Sequence, residues 1–283
     1  MSISDALGER RVAEIPAGPI EYRERGEGAP VVFVHGVGVN GDLWRHAAPP
    51  LADAGHRCIA PDWPLGGHSL PLRSDADLSL PGLARIVADF LEALDLRDAC
   101  VVANDTGGAV TQWLLGHHAE RVGRAVLTSC DAFQKFPPAP QLYLKPAARL
   151  RLLGLVARAV QWKPVQRTPT AYGWTTKKPI DPEIMRSYTS HIAQEPAVRR
   201  DLSRLLLAVD TRYTHEAADA LPLFDKPALV VWASDDKLFP REHGRRLAEL
   251  LPQGRFELIE DSRTFIPEEQ PERLVGMIRD FLA

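Results

Sequence analysis

The chain has 283 residues, 45% apolar and 25% charged, which suits one large domain or two small ones with a sizeable core. A formal net charge of −3 and an isoelectric point near 6.3 exclude the basic excess that a nucleic-acid partner would demand. No basic segment followed by an apolar stretch opens the chain, and no apolar run is long enough to cross a bilayer, so a cytoplasmic protein without a membrane partner is expected. Cys58, Cys100 and Cys130 show no CxxC spacing and fall in or beside apolar runs, the pattern of buried free thiols and not of a redox or zinc site.

In chain order, residues 11–25 read as an antiparallel hairpin at a sheet edge. Strand-like apolar runs follow at 30–34, 57–61, 100–103, 123–128, 227–233 and 256–260. Helical patterns, with apolar residues at three-and-four spacing, occupy 80–94, 107–119, 241–251 and 271–282. This alternation predicts an α/β fold whose mostly parallel sheet is flanked by helices. It is interrupted once. From 134 to 217 strand signals vanish and prolines cluster, as expected of a helical lid inserted into a core formed by 1–133 and 218–283. In that insert Lys and Arg outnumber Asp and Glu by 14 to 6. The excess reads either as a solvated helical surface or as a means of steering an anionic substrate.

The run Val101-Val102-Ala103-Asn104-Asp105-Thr106-Gly107-Gly108 delivers an apolar strand into a sharp turn and then a helix. Ala103 and Gly107 are small enough to let strand and helix approach while Asp105 stands at the helix N-terminus. A helix start favours an ionised carboxylate, and a carboxylate can attack an sp3 carbon to give an enzyme ester or an acyl carbon to give an enzyme-bound anhydride. Asp is also an ordinary N-cap, so the residue alone decides nothing.

The motifs around it resemble those of the α/β-hydrolase superfamily, in the expected order. His35-Gly36-Val37-Gly38 is similar to that family's oxyanion turn, and the resemblance implies that the backbone N–H groups of Val37 and Thr106 hold a developing negative charge. Asp62-Trp63-Pro64-Leu65-Gly66-Gly67-His68-Ser69 resembles the Gly-rich loop after the next strand. Trp232-Ala233-Ser234-Asp235-Asp236 resembles the strand end that carries the triad acid, with Asp236 the better-placed carboxylate and Asp131 its rival. An aspartate nucleophile under a lid resembles the haloalkane dehalogenase, fluoroacetate dehalogenase and epoxide hydrolase branches. The resemblance implies hydrolysis of a small halide, epoxide, ester or lactone. Thr106 departs from the tryptophan or arginine that the dehalogenases place after the aspartate, and Gly38 from the proline of the epoxide hydrolases. Tyr143, Tyr172, Tyr188 and Tyr213 are candidates for the two lid tyrosines of the epoxide branch.

The last motif keeps the family frame but not its base. Asp261-Ser262-Arg263-Thr264-Phe265-Ile266-Pro267 carries Thr264 where the family has histidine, and no histidine follows His243. A threonine hydroxyl takes up no proton near neutral pH, so it does not replace imidazole as general base. Three resolutions follow: a relocated base, with His68 or His191 reaching the site from elsewhere; Asp105 acting as a non-covalent general base; or a ligand-binding member that has lost catalysis, as in the plant gibberellin receptors. No metal-ligand spacing or phosphate-cradling loop is present, so neither cofactor nor metal is expected. The partner expected is a small molecule, and the protein a monomer or homodimer.

Overall fold

The computed structural model describes residues 3–283. Eight strands form one sheet: β1 (Glu9–Ile15), β2 (Gly18–Arg25), β3 (Ala29–Val34), β4 (His56–Pro61), β5 (Ala99–Asp105), β6 (Val122–Cys130), β7 (Ala228–Ala233) and β8 (Gly254–Ile259). Their order is β1-β2-β4-β3-β5-β6-β7-β8. β1 and β2 pair antiparallel, as does β2 with β4, and every later pairing is parallel. This is the α/β arrangement expected from the alternation of patterns.

Burial explains the strand sequences. β5 and β7 are buried at every position and read as near-continuous apolar runs, because helices cover both faces of a parallel sheet. β8, at one edge, alternates between more and less exposed residues, and β1, at the other, exposes Arg10 and Arg11. The helix Leu80–Ala93 starts where the Ser79 hydroxyl accepts a hydrogen bond from the Gly82 N–H, and it buries Leu83, Val87, Phe90 and Leu91. The helix Thr106–His117 is buried from Thr106 to Leu115. The sheet lies on one side of it, and the helices Leu80–Ala93 and Thr211–Ala220 pack against the others.

Among the described residues no strand falls between Cys130 and Ala228. The helices Leu144–Arg149, Leu153–Ala159, Lys163–Gln166, Pro182–Gln194 and Pro196–Ala208 occupy that stretch. The helix Thr211–Ala220 packs on Thr106–His117 and runs through residue 217 without a break.

Two glycines set the distance between β3, β5 and the helix that follows β5. A Cβ on Gly107 would collide with the carbonyl oxygens of Val34 and His35, and one on Gly108 with the side chain of Cys130. Gly107→Ala should therefore destabilise the fold by about 1–3 kcal/mol through overpacking. Gly276→Ala, in the helix Pro271–Leu282 with nothing within 4 Å of the added carbon, should be neutral or stabilising by about 0.5–1 kcal/mol. Urea denaturation midpoints of the two variants check the contrast.

Candidate active site

Asp105 ends β5 with φ +54° and ψ −131°, a conformation that L-residues rarely adopt. Strain of this kind costs on the order of 1–3 kcal/mol and persists only where the surroundings enforce it. Here they do so from two sides: β5 is hydrogen-bonded to both β3 and β6, and the next residue already belongs to a buried helix. The side chain makes no cap hydrogen bond of its own helix's usual kind, so the ordinary N-cap explanation does not account for the aspartate.

The two carboxylate oxygens of Asp105 differ. Oδ2 lies against Gly36, where a Cβ would overlap it. The backbone N–H groups of Thr106 and Val37 lie close enough to the carboxylate to lower its pKa. Oδ1 is buried and has no hydrogen-bond partner. Burial pushes the Asp105 carboxyl up to about 7; the two N–H groups pull it down, and the nearby Asp236 charge adds to the rise.

Two further carboxylates surround it. Asp131 is buried, accepts a hydrogen bond from Thr106 Oγ1 at 2.9 Å, and is held well above the usual carboxylate range by burial and then by Asp105. Asp236 Oδ1 accepts from the N–H groups of Leu238 at 2.8 Å and Phe239 at 2.9 Å, and from Thr264 Oγ1 at 3.0 Å. Its other oxygen is buried without a partner, and burial raises the group to about 6. Thr264 thus contacts Asp236 through its hydroxyl.

Asn104 is a buried polar residue that pattern reading passed over. It is buried in the last turn of the strand before the elbow, and its Nδ2 donates to the Thr264 carbonyl at 2.8 Å and to Thr128 Oγ1 at 3.0 Å. The signal was present: a polar residue inside a fully buried strand end must find partners. It ties β5, β6 and the Thr264 loop together.

The remaining candidates fall elsewhere. His68 is buried with its Nε2 3.6 Å from Asp201 and its Nδ1 accepting from the Gly66 N–H at 3.3 Å, and it does not line the cavity described below. His191 is half-buried on the helix Pro182–Gln194 and does not line it either; burial lowers its pKa. Neither is positioned as the relocated base. His35 is fixed as a structural residue, its Nδ1 against the Gly36 carbonyl at 2.9 Å and its Nε2 accepting from the Trp63 N–H at 2.9 Å. Burial drives it down to about 3, so it is neutral. Tyr188 donates to Glu268, which also makes a two-pronged pair with Arg45 at 2.6 Å, and Tyr213 packs edge-on against Trp113. Asp235 is surface-exposed and paired with Lys177.

A cavity of about 80 Å³ lies between the C-terminal ends of β3 and β5 and the helical excursion. Val37, Gly38 and Asp105 form its floor; Leu144, Leu153, Val156, Val160, Ile192 and Leu206 are among the apolar residues of its walls. Tyr143 and Tyr172 both line it. The Tyr172 hydroxyl donates to the Gly38 carbonyl at 2.6 Å and the Tyr143 hydroxyl to the Thr170 carbonyl at 2.9 Å. Burial raises both phenols, so each keeps its proton near neutral pH. No Lys, Arg or His is among the lining residues. Among the described residues no cluster of His, Cys, Asp or Glu is arranged to hold a metal ion.

Residues 29–271 match the family model described as alpha/beta hydrolase fold. This chain is an α/β-hydrolase. It is 30% identical to a non-heme chloroperoxidase of Kitasatospora aureofaciens, over 86% of this chain and 87% of that one. It is 28% identical to a cis-3-alkyl-4-alkyloxetan-2-one decarboxylase of Xanthomonas campestris pv. campestris, over 96% and 95%. Haloalkane dehalogenase 2 of Mycobacterium bovis is 26% identical over 95% and 93%. The solved structure of the epoxide hydrolase CorEH superposes with a TM-score of 0.79 at 20% identity, covering 96% of this α/β-hydrolase and 98% of that chain, a likeness of fold.

A carboxyl raised on folding binds its proton more tightly in the native state. Between the unfolded value near 3.8 and the folded value near 7 the native protein holds more protons than the unfolded chain, so this group's contribution to stability falls as pH rises through that window. Asp105→Asn removes the titration while keeping the shape. The variant should gain stability over the parent by on the order of 2 kcal/mol at pH 8 and by little at pH 4, read from denaturation midpoints at the two pH values.

Proposed function

We propose that this α/β-hydrolase acts on a small, uncharged, largely apolar electrophile, a halide, epoxide, ester or lactone, with Asp105 as the nucleophile. The observation that carries the reading is the setting of the Asp105 carboxylate. Its Oδ1 is buried without a hydrogen-bond partner, the backbone N–H groups of Val37 and Thr106 lie close enough to lower its pKa, and the residue floors an apolar cavity. A nucleophile needs a free lone pair aimed at substrate, and the ester it forms needs its carbonyl oxygen already in an oxyanion site.

In the first step Oδ1 forms a C–O bond to the electrophilic carbon, and the leaving group departs with the electron pair of the bond that breaks. For an epoxide or lactone the leaving oxygen stays on the substrate, and the phenols of Tyr143 and Tyr172 line the cavity and would bond it by turning away from the Thr170 and Gly38 carbonyls. The lid's cationic excess supplies no cavity-lining cation, which argues for an uncharged substrate over an anionic one.

The second step, hydrolysis of the ester, lacks its imidazole. Asp236 is the carboxylate that remains to take a proton from water, with Thr264 as its hydrogen-bonded neighbour. Losing a positioned base of this type costs ~10²–10⁴-fold. The ester on Asp105 is thus expected to accumulate.

A second reading, in which Asp105 works as a non-covalent base, is favoured by its near-neutral pKa. Intact-protein mass spectrometry after incubation with haloalkanes, epoxides, lactones and activated esters separates the two. The nucleophile reading predicts an adduct on the parent, absent in Asp105→Ala and cleared roughly 100-fold faster in Thr264→His. Product formed without an adduct at any time would support the acid-base reading, and reversible binding indifferent to Asp105→Asn would indicate a ligand-binding protein.

The same chemistry fixes a pH dependence. Only the ionised carboxylate attacks, so the rate of adduct formation should rise through about pH 7 and level off above it. Tyr172→Phe should slow reaction with epoxides more than with haloalkanes, because only the former leave a charged oxygen on the substrate; single-turnover rates check both.

A further inference from the structure

The helical excursion has an outer face that the chemistry above does not use. From residue 132 to residue 180 the sequence contains nine Lys and Arg and no Asp or Glu. Among the described residues, eight large apolar side chains are exposed, and five of them, Leu142, Leu150, Leu152, Leu155 and Trp162, lie in this one segment. Leu150 is 68% exposed and Trp162 66%. Arg149, Arg151, Arg158, Lys163 and Arg167 are exposed beside them. Of the segment's nine cations, Lys177 at its far end is ion-paired among the described residues, to Asp235 and Asp261.

Exposed leucine and tryptophan among unpaired cations is a costly surface for a protein surrounded by water. It suits the interface of an anionic bilayer, where apolar side chains enter the acyl boundary and Lys and Arg meet the headgroups. The two short helices concerned are two-sided. Leu144, Leu153, Val156, Ala157 and Val160 line the cavity above Asp105, while Leu155 within the second helix, and Leu150 and Trp162 beside the helices, are exposed.

We propose that the outer face of residues 142–167 docks on an anionic lipid surface, which places the lid side of the apolar cavity against the bilayer as a source of apolar substrate. Charge selects the occupant. A patch of apolar residues alone would fit any partner, but an acid-free run of cations matches a uniformly negative plane. The docking does not depend on the chemistry of Asp105, so its test stands apart from the nucleophile reading.

The experiment is flotation of the full chain with vesicles of phosphatidylcholine alone and of phosphatidylcholine with 30% phosphatidylglycerol, at low and high salt. Binding to the anionic vesicles at low salt, weakened by high salt and absent with neutral vesicles, is the expected result. Arg149→Gln with Arg151→Gln should weaken it roughly 20–30-fold, at about a fivefold loss per cation near the surface. Trp162→Ser should weaken it several-fold and Trp162→Phe restore most of it. All these positions are exposed, and an unchanged melting temperature shows that the variants fold. No flotation with anionic vesicles, flotation indifferent to both sets of variants, or concentration-dependent self-association abolished by the same variants would each overturn the proposal; the last would assign the face to a second copy of this chain.

Discussion

The structure depends on how closely the end of β5 approaches the turn after β3. Gly36, Gly107 and Gly108 each face atoms that a Cβ would strike: the Asp105 carboxylate, the β3 carbonyls and Cys130. Because no side chain stands between them, Asp105 can be held at positive φ with its carboxylate against the N–H groups of Val37 and Thr106. Its raised pKa follows, since the same approach removes water.

Around the elbow the electrostatics are those of acids without a nearby cation to neutralise them. Asp105, Asp131 and Asp236 are all buried, all raised, and each has one oxygen without a hydrogen-bond partner. In the frame of a hydrolase triad an imidazolium would offset part of this charge. Thr264 bonds Asp236 through its hydroxyl and Asn104 through its carbonyl, which holds the loop in place without a side chain that takes up a proton near neutral pH. On the proposed reading, a site so built would form an ester on Asp105 and clear it slowly.

Much of the fold was legible because burial on both faces writes continuous apolar runs into central strands. The runs at 30–34, 57–61 and 100–103 coincide with β3, β4 and β5 to within a residue or two. The elbow was legible for a related reason, since a polar residue framed by Ala103 and Gly107 has few structural uses. The place of the helix Thr211–Ala220 was less so: its three-and-four pattern is the same whether it covers a cavity or a core helix, and only its packing on Thr106–His117 tells which. His68 and His191 could not be placed from sequence, because a histidine's role is set by its neighbours in space, and those are Asp201 for the first and a half-buried helix face for the second. Asn104 was passed over because its partners lie 24 and 160 residues away along the chain.

The account joins these parts in one claim: burial at the elbow brings Asp105 into the neutral range with one oxygen free. The most direct test is carbon-13 NMR of aspartate-labelled protein, with the Asp105 carboxyl resonance assigned by comparison with Asp105→Asn and followed across pH. A titration midpoint near 7 is predicted. A midpoint near 4, the value of an ordinary solvated aspartate, would contradict the claim and with it the picture of a desolvated nucleophile.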